Sequence, residues 1–229
     1  MNLIIGAGQV GKGLFDVLRS RVLTSIIDKE PTVIAKKIEI LHICFPYSKD
    51  FSKQVTGYIK LYNPELTIVY STVPIGTCEK LKVVHSPVEG KHPAIGLSIQ
   101  NSARWLGSSD EKLLAKAVKF WKKFGYIREM PSADFTEALK LLSTTEYGIN
   151  IEFARYKKKV ADAIGMDYSA TKQWNLDYNE LYNRLGMKWA KKYILDPPVG
   201  KKGGHCVTPN AKLLYDQYPD EMVKIVGEL

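Results

Sequence analysis

The chain has 229 residues, 45% of them hydrophobic and 25% charged, the balance of a folded protein long enough to bury a core. No apolar run approaches the ~20 residues that cross a bilayer, which excludes a membrane-spanning helix. With 33 Lys and Arg against 24 Asp and Glu, the net charge is +9, which favours anionic partners. The chain opens on a short apolar strand, Asn2–Ile5, followed by Gly6-Ala7-Gly8-Gln9-Val10-Gly11. An amphipathic segment, Gly13–Arg19, comes next, then a second strand, Thr24–Ile27, which ends at Asp28. Strand, glycine turn, helix, strand and acid in this order describe a dinucleotide site. One glycine permits the tight turn, one lets the backbone approach a pyrophosphate, and one lets the helix pack closely on the strand. The unpaired N–H groups and positive dipole end of the helix then face the phosphates. Asp28, 22 residues after Gly6, is placed to accept from ribose hydroxyls, which favours NAD over NADP, although Lys29 beside it weakens that preference. The expected cofactor residues are Gly6, Gly8, Gln9, Val10, Gly11, Asp28 and Lys29, joined by Pro46, Ser71 and Thr72 from the strand ends that follow.

Only 11 residues separate Asp28 from the next apolar run, Ile40–Pro46, too few for the usual helix and further strand, so this half of the sheet is expected to be trimmed. A helix is expected over Asp50–Leu61 and a strand over Leu66–Tyr70, which runs into the turn Ser71-Thr72-Val73-Pro74-Ile75-Gly76-Thr77. Lys82–His85 reads as another strand, Ala94–Leu106 as holding one more, and Asp110–Phe124 as an amphipathic helix. From Ser132, a plausible N-cap, to Gly165 the pattern is helical throughout, with Gly148 as a bend or a close-packing point. Tyr168–Tyr193 also reads as helix, Asp196-Pro197-Pro198 stops it, Val199–Pro209 reads as a glycine- and lysine-rich loop, and a last helix starts near Asn210. The fold class is therefore α/β. An N-terminal Rossmann-like domain with a trimmed sheet is expected over 1–131, and a helical domain with a long central helix over 132–229.

Cys44, Cys78 and Cys206 are too few for a disulfide framework, and with the four histidines they show no zinc spacing, so no metal is expected. The lysine clusters, such as Lys157-Lys158-Lys159 and Lys201-Lys202, read as solvated helix faces or as a field for anionic substrates. No nucleic-acid-binding motif accompanies them, so neither nucleic acid nor membrane is an expected partner. The N-terminus lacks the features of a secretory signal, and a cytoplasmic location is expected.

Several motifs now line up: GAGQVG, STVPIGT, the HSP at His85-Ser86-Pro87, ARWLGSSDE, TEALKLLSTTEYGINI and KKGGHCVTPN. In this order they resemble the nucleotide-sugar (UDP-glucose/GDP-mannose) dehydrogenase family over roughly residues 1 to 212. That family continues into a second Rossmann-like domain that binds the nucleotide of the sugar, so the resemblance implies a truncated member without it. It also implies NAD-dependent oxidation of a primary alcohol through a cysteine thiohemiacetal and thioester. Residue by residue, Cys206 matches the nucleophile, Lys140 the lysine near the reacting carbon, and Thr72 the threonine that holds a catalytic water. Thr144, Gly203, Gly204 and Asn210 fall at substrate-contacting positions. The resemblance further implies a homodimer through the long helix, roughly residues 132 to 164. Three positions depart from the family pattern. Val88 replaces a glutamate, Thr144 an asparagine, and Asn210 an aspartate, which thins the acid–base support for thioester hydrolysis. The leading expectation is a dehydrogenase of a sugar-like or anionic small molecule. The alternatives are a two-electron hydroxyacid-type dehydrogenase using Lys140 alone, and an NAD(H)-binding protein without turnover.

Overall fold

The computed structural model describes residues 1–28, 30, 32, 34, 36–90, 94–198 and 204–227, except for the side chains of 204, 205 and 227. It divides into two compact units, Met1–Lys140 and Leu141–Leu229.

The first unit is built on β1 (Asn2–Ile5), α1 (Gln9–Leu18), β2 (Thr24–Ile27), β3 (Ile40–Ile43), α2 (Phe51–Tyr62), β4 (Leu66–Val69), α3 (Thr77–Leu81), β5 (Val84–His85), α4 (Ile95–Asn101), β6 (Arg104–Gly107), α5 (Glu111–Trp121) and β7 (Ile127–Met130). The strands form one sheet in the order β2-β1-β3-β4-β5-β6-β7, parallel except between β5 and β6. The inner strands β1 and β4 are buried throughout, as expected for a parallel sheet covered on both faces. Two clusters fill those faces. One joins Leu14 and Leu18 of α1 with Ile68 and Trp121, and the other joins Phe51 and Val55 of α2 with Leu3, Leu41 and Val69. Among the described residues β2 is an edge strand, with no element between it and β3, so the first half of the sheet is trimmed as expected.

Two expectations for the first unit are corrected. Ala94–Leu106 holds a helix as well as a strand. Ile95 and Ile99, four apart, bury the inner face of α4, and Gly13 of α1 fits against Gly96, where a Cβ would lie 3.0 Å from the Gly96 nitrogen. β7 was not expected, because its Ile-Arg-Glu-Met sequence is half polar and only half buried. Its register is set by four parallel pairs, from Arg104 with Ile127 to Gly107 with Met130.

The long helix, α6, spans Ala133–Ala163 and continues past the division between the units. The second unit also holds α7 (Tyr168–Arg184), a single 3-10 turn at Lys188–Ala190, α8 (Gly204–Gln217) and α9 (Glu221–Gly227). The aromatic segment read as helix to Tyr193 ends earlier, at a left-handed Gly186 with φ of 73°. The chain then returns along α7. Tyr168 donates to the Leu195 carbonyl, Asn175 to that of Tyr193, and Asn179 both donates to and accepts from the Lys192 backbone. Gly148 is a packing point: a Cβ there would run into Val226 and Val207. With Ile151 and Ala211 those residues form the core of this unit. The glycine-rich segment read as a loop to Pro209 is helical from Gly204 on, with Pro209 inside α8. Among the described residues no helix is long and apolar enough to cross a membrane, and no cluster of His, Cys, Asp and Glu could hold a metal ion.

Candidate functional site at the carboxyl ends of the strands

β1 delivers the chain into the glycine turn, and each glycine has its own reason. Gly6 has φ of 104°, and a Cβ there would lie 2.8 Å from the Phe45 nitrogen and 2.9 Å from the Cys44 carbonyl carbon. A Cβ on Gly11, in the first turns of α1, would overlap the Gly6 carbonyl oxygen. Both are required by packing. Gly8 is not: it is the N-cap of α1 in extended conformation (φ −71°, ψ −171°), and a Cβ there meets nothing within 4 Å. Space over a bare backbone, at a helix N-terminus that no side chain caps, fits an anionic ligand group. Gln9 and Val10 form the opening of that helix. Asp28 stands beside it at the end of β2 and accepts from the Ala7 N–H at 3.3 Å.

From there a chain of contacts runs along the sheet edge. Gly6 abuts Cys44 and Phe45, directly before the exposed Pro46. The Ser71 hydroxyl donates to the Phe45 carbonyl at 2.6 Å, tying the end of β4 to that of β3. The Ser71 carbonyl faces His85 Nε2 at 3.2 Å, and His85 Nδ1 lies 2.8 Å from the Thr136 hydroxyl. Burial lowers the His85 pKa to about 4, so the ring is neutral at pH 7. A carbonyl can only accept, so the contact with Ser71 puts the proton on Nε2 and leaves Nδ1 as an acceptor facing the Thr136 hydroxyl, whose one proton it shares with the Ala133 carbonyl at 2.9 Å. Thr136 stands on α6, next to Glu137 and one turn before Lys140. The half-buried Lys140 donates from Nζ to the Val88 carbonyl at 2.9 Å. This row brings Asp28, the glycine turn, Pro46, Ser71, the half-buried Thr72 and Lys140 to one edge of the first unit.

Two carboxylates, the buried Glu137 and the half-buried Glu79, lock α3 and α6 together. Glu137 accepts from the N–H of Gly76 at 2.7 Å and of Cys78 at 2.8 Å, at the start of α3. Glu79, on α3, accepts from the Ala133 N–H at 2.6 Å, the Ser132 hydroxyl at 3.0 Å and the Ser109 N–H at 2.9 Å. Burial opposes ionisation of Glu79, yet the hydrogen bonds from Ser109, Ala133 and Ser132 hold it below the usual carboxylate range. Burial pushes Glu137 up to about 7 against the bonds it receives from Cys78 and Gly76. Sequence reasoning missed His85, Thr136, Glu79 and Glu137 as parts of this edge. The available signal was the acid at Glu137 three residues before Lys140, on one helical face with it.

Of the remaining expected residues, Thr144, Gly204, Cys206 and Asn210 belong to the second unit. Cys206 is exposed in the first turn of α8, Asn210 is buried on the same helix, and Thr144 is half-buried on α6. Lys29 and Gly203 lie outside the described residues. A cleft of about 600 Å³ opens within the second unit, lined by Lys157, Lys192, Phe153 and Tyr193 among others, and it contains none of the expected site residues.

No family model matches the chain. UDP-N-acetyl-D-mannosamine dehydrogenase of Methanocaldococcus jannaschii is 30% identical over 160 residues, which cover 65% of this chain and 34% of that protein. The structure of UDP-D-ManNAc dehydrogenase from Pyrococcus horikoshii superposes on all of this chain and 68% of its own, with a TM-score of 0.78 at 19% identity. The chain is thus similar over part of its length to a nucleotide-sugar dehydrogenase, and shares the fold of another. It spans about a third of the length of that curated relative. The same fold recurs in 3-hydroxyisobutyrate dehydrogenase of Mycobacterium tuberculosis, at a TM-score of 0.74 and 14% identity, over 99% of this chain and 91% of that one. Against the nucleotide-sugar dehydrogenase pattern, the Val88 side chain is buried where a glutamate is expected, and Lys140 meets the backbone carbonyl of that residue instead.

Proposed function

We propose that the chain is an NAD-dependent dehydrogenase that oxidises an alcohol or aldehyde of a sugar-like substrate. The observation that carries this reading is the open space over Gly8, at the head of a row of contacts that leads along the sheet edge to Lys140. Bound there, NAD would supply the hydride acceptor. The α1 amides and the bare Gly8 backbone would hold its pyrophosphate, Asp28 its ribose hydroxyls, and Pro46, Ser71 and Thr72 would line its path. Lys140 would stabilise the developing oxyanion of the substrate, and Thr72 would hold a water. Cys206 would add its thiol across the aldehyde carbonyl to form a thiohemiacetal, oxidation of which gives a thioester that water cleaves to the carboxylate. The exposed apolar residues of α6 in the second unit, among them Leu142, Phe153, Tyr156 and Val160, support a homodimer through this helix.

A two-electron reaction that uses Lys140 alone is the second reading. It is favoured by Val88, Thr144 and Asn210, which replace the polar groups that a four-electron oxidation draws on. NADH titration by fluorescence, followed by turnover of NAD with UDP-N-acetyl-D-mannosamine, other UDP-sugars and small hydroxyacids, tests the whole proposal. A protein that binds NADH no more tightly than a Gly8→Val variant refutes it. Loss of carboxylate formation in Cys206→Ala supports the four-electron route, and full turnover in that variant leaves the Lys140 route.

A further inference from the structure

The turn from Ser71 to Thr77 carries Thr72, and within it the Thr77 hydroxyl and N–H both donate to the Pro74 carbonyl, at 2.6 and 3.2 Å. No side chain from the turn caps α3, whose N-cap is the left-handed Gly76 with φ of 90°. The cap comes from Glu137, about sixty residues further along the chain. Its side chain is fully buried, and each oxygen takes one amide, Oε2 that of Gly76 and Oε1 that of Cys78. The other end of the turn is tied to the same helix through the Ser71 carbonyl, His85 and Thr136. Thr72 therefore lies between two tethers, both anchored on the first two turns of α6. Lys140, on the next turn of that helix, is anchored to Val88. We propose that Glu137 is a positioning residue that holds the Ser71–Thr77 turn, and with it Thr72, in fixed register with Lys140. This inference rests on the dehydrogenase reading for its catalytic meaning and on the hydrogen bonds alone for its structural meaning.

The carboxylate suits this task better than its amide isostere. Two N–H donors converge on it, and a glutamine would turn its own NH₂ donors toward one of them. The titratable and charged groups that act on it are Asp134 from its own helix and Cys78 from α3, and Glu79 acts in turn on Cys78. The Cys78 thiol is pushed well up by burial, so it stays protonated, and Glu79 is held below the usual carboxylate range. His85, near 4, is already neutral. With Glu137 at about 7, the Gly76 and Cys78 amides should report its ionisation near neutral pH.

The test is amide NMR and hydrogen exchange on the intact chain, read beside steady-state kinetics. In the wild type, the Gly76 and Cys78 amide shifts should move together with a midpoint near 7, a readout that needs no substitution. In Glu137→Gln that titration should vanish. Exchange at the amides of residues 71 to 78 should rise about tenfold or more, the factor for losing a charge-assisted hydrogen bond, while β1 and β4 stay protected. For an active enzyme kcat should fall by a similar factor, with the affinity for NADH retained. Unchanged exchange in the turn overturns the proposal, as does raised exchange with an unchanged kcat. If the wild type neither binds NADH nor turns over, the dehydrogenase reading falls instead, and exchange at residues 71 to 78 still decides whether Glu137 holds the turn.

Discussion

The glycine turn offers a separation of fold from function that two substitutions can make. Gly8→Ala places a methyl where no protein atom lies within 4 Å, on a backbone with φ of −71° that any residue adopts. Alanine is a poorer N-cap than glycine, by about 0.5–1 kcal/mol, and it stiffens the unfolded chain by about 0.4–1 kcal/mol in the other direction. Stability should therefore stay within about 0.5 kcal/mol of the wild type. A bound pyrophosphate would occupy that space, so NADH affinity should drop by about tenfold or more, some 1.4 kcal/mol. Gly11→Ala reverses the outcome. Its methyl overlaps the Gly6 carbonyl oxygen, with the carbonyl carbon at 3.1 Å, and both atoms are backbone that cannot rotate away. The helix must lift off the strand, at a cost of about 2–3 kcal/mol that the better helix propensity of alanine offsets only in part. In a chain of this size that lowers Tm by about 5 °C or more. Urea unfolding followed by circular dichroism, and NADH fluorescence titration of each folded variant, read the two effects. A Gly8→Ala protein of unchanged stability that binds NADH like the wild type would refute the pyrophosphate assignment.

Asp28→Ala should loosen NADH and narrow its margin over NADPH, because the ribose hydroxyls lose their acceptor; paired titrations measure this, and a wild type that already prefers NADPH contradicts the assignment. Folding stability should decline as pH falls from about 6.5 towards 4. Burial lowers the folded-state pKa of His85 to about 4, so protons bind mainly to the unfolded chain in that window, and the loss from this ring amounts to about 3 kcal/mol. Glu137 works in the opposite sense: raised to about 7, its contribution to stability is lost as pH rises through neutrality, so Glu137→Gln should steepen the acid decline measured by urea titration at several pH values. Light scattering at micromolar concentration should show a dimer, and a monomer would mean that the apolar side of α6 needs no partner copy.

The periodicities that were legible in the sequence are those written by local rules. The glycine turn, the buried β1 and β4 runs and the long α6 carry their signals within a few residues, and each formed close to its expected bounds. The misses have nonlocal causes. β7 owes its existence to a partner, β6, rather than to its own half-polar sequence. α7 stops short because Gly186 turns the chain back to be bonded by Asn175 and Asn179, side chains that read as polar positions on a helix. The edge of the site was legible in Lys140 and Thr72 but not in what holds them. Glu79 and Glu137 are unremarkable acids in sequence, and only the tertiary fold brings each to the other's helix terminus.

That mutual capping bears on which chemistry the edge can support. A lysine that shares a proton needs a partner able to take one. One contact of Lys140 is the bond it donates to the Val88 carbonyl, which accepts a hydrogen bond but not a proton at neutral pH. The acid nearest to it along its helix, Glu137, is committed to two backbone amides and points into α3. Glu137 and Lys140 are thus divided by task, Glu137 to geometry and Lys140 to charge. Such a division suits a step in which an oxyanion builds up and is neutralised electrostatically more than one in which water must be deprotonated. On the dehydrogenase reading, the first oxidation asks for both charge stabilisation and a proton acceptor, because the alcohol proton must pass to an acceptor as the hydride leaves. The hydrolysis that completes a four-electron oxidation asks for a proton acceptor again, so on this reading Lys140 serves the charge that develops at each stage and not the proton that leaves.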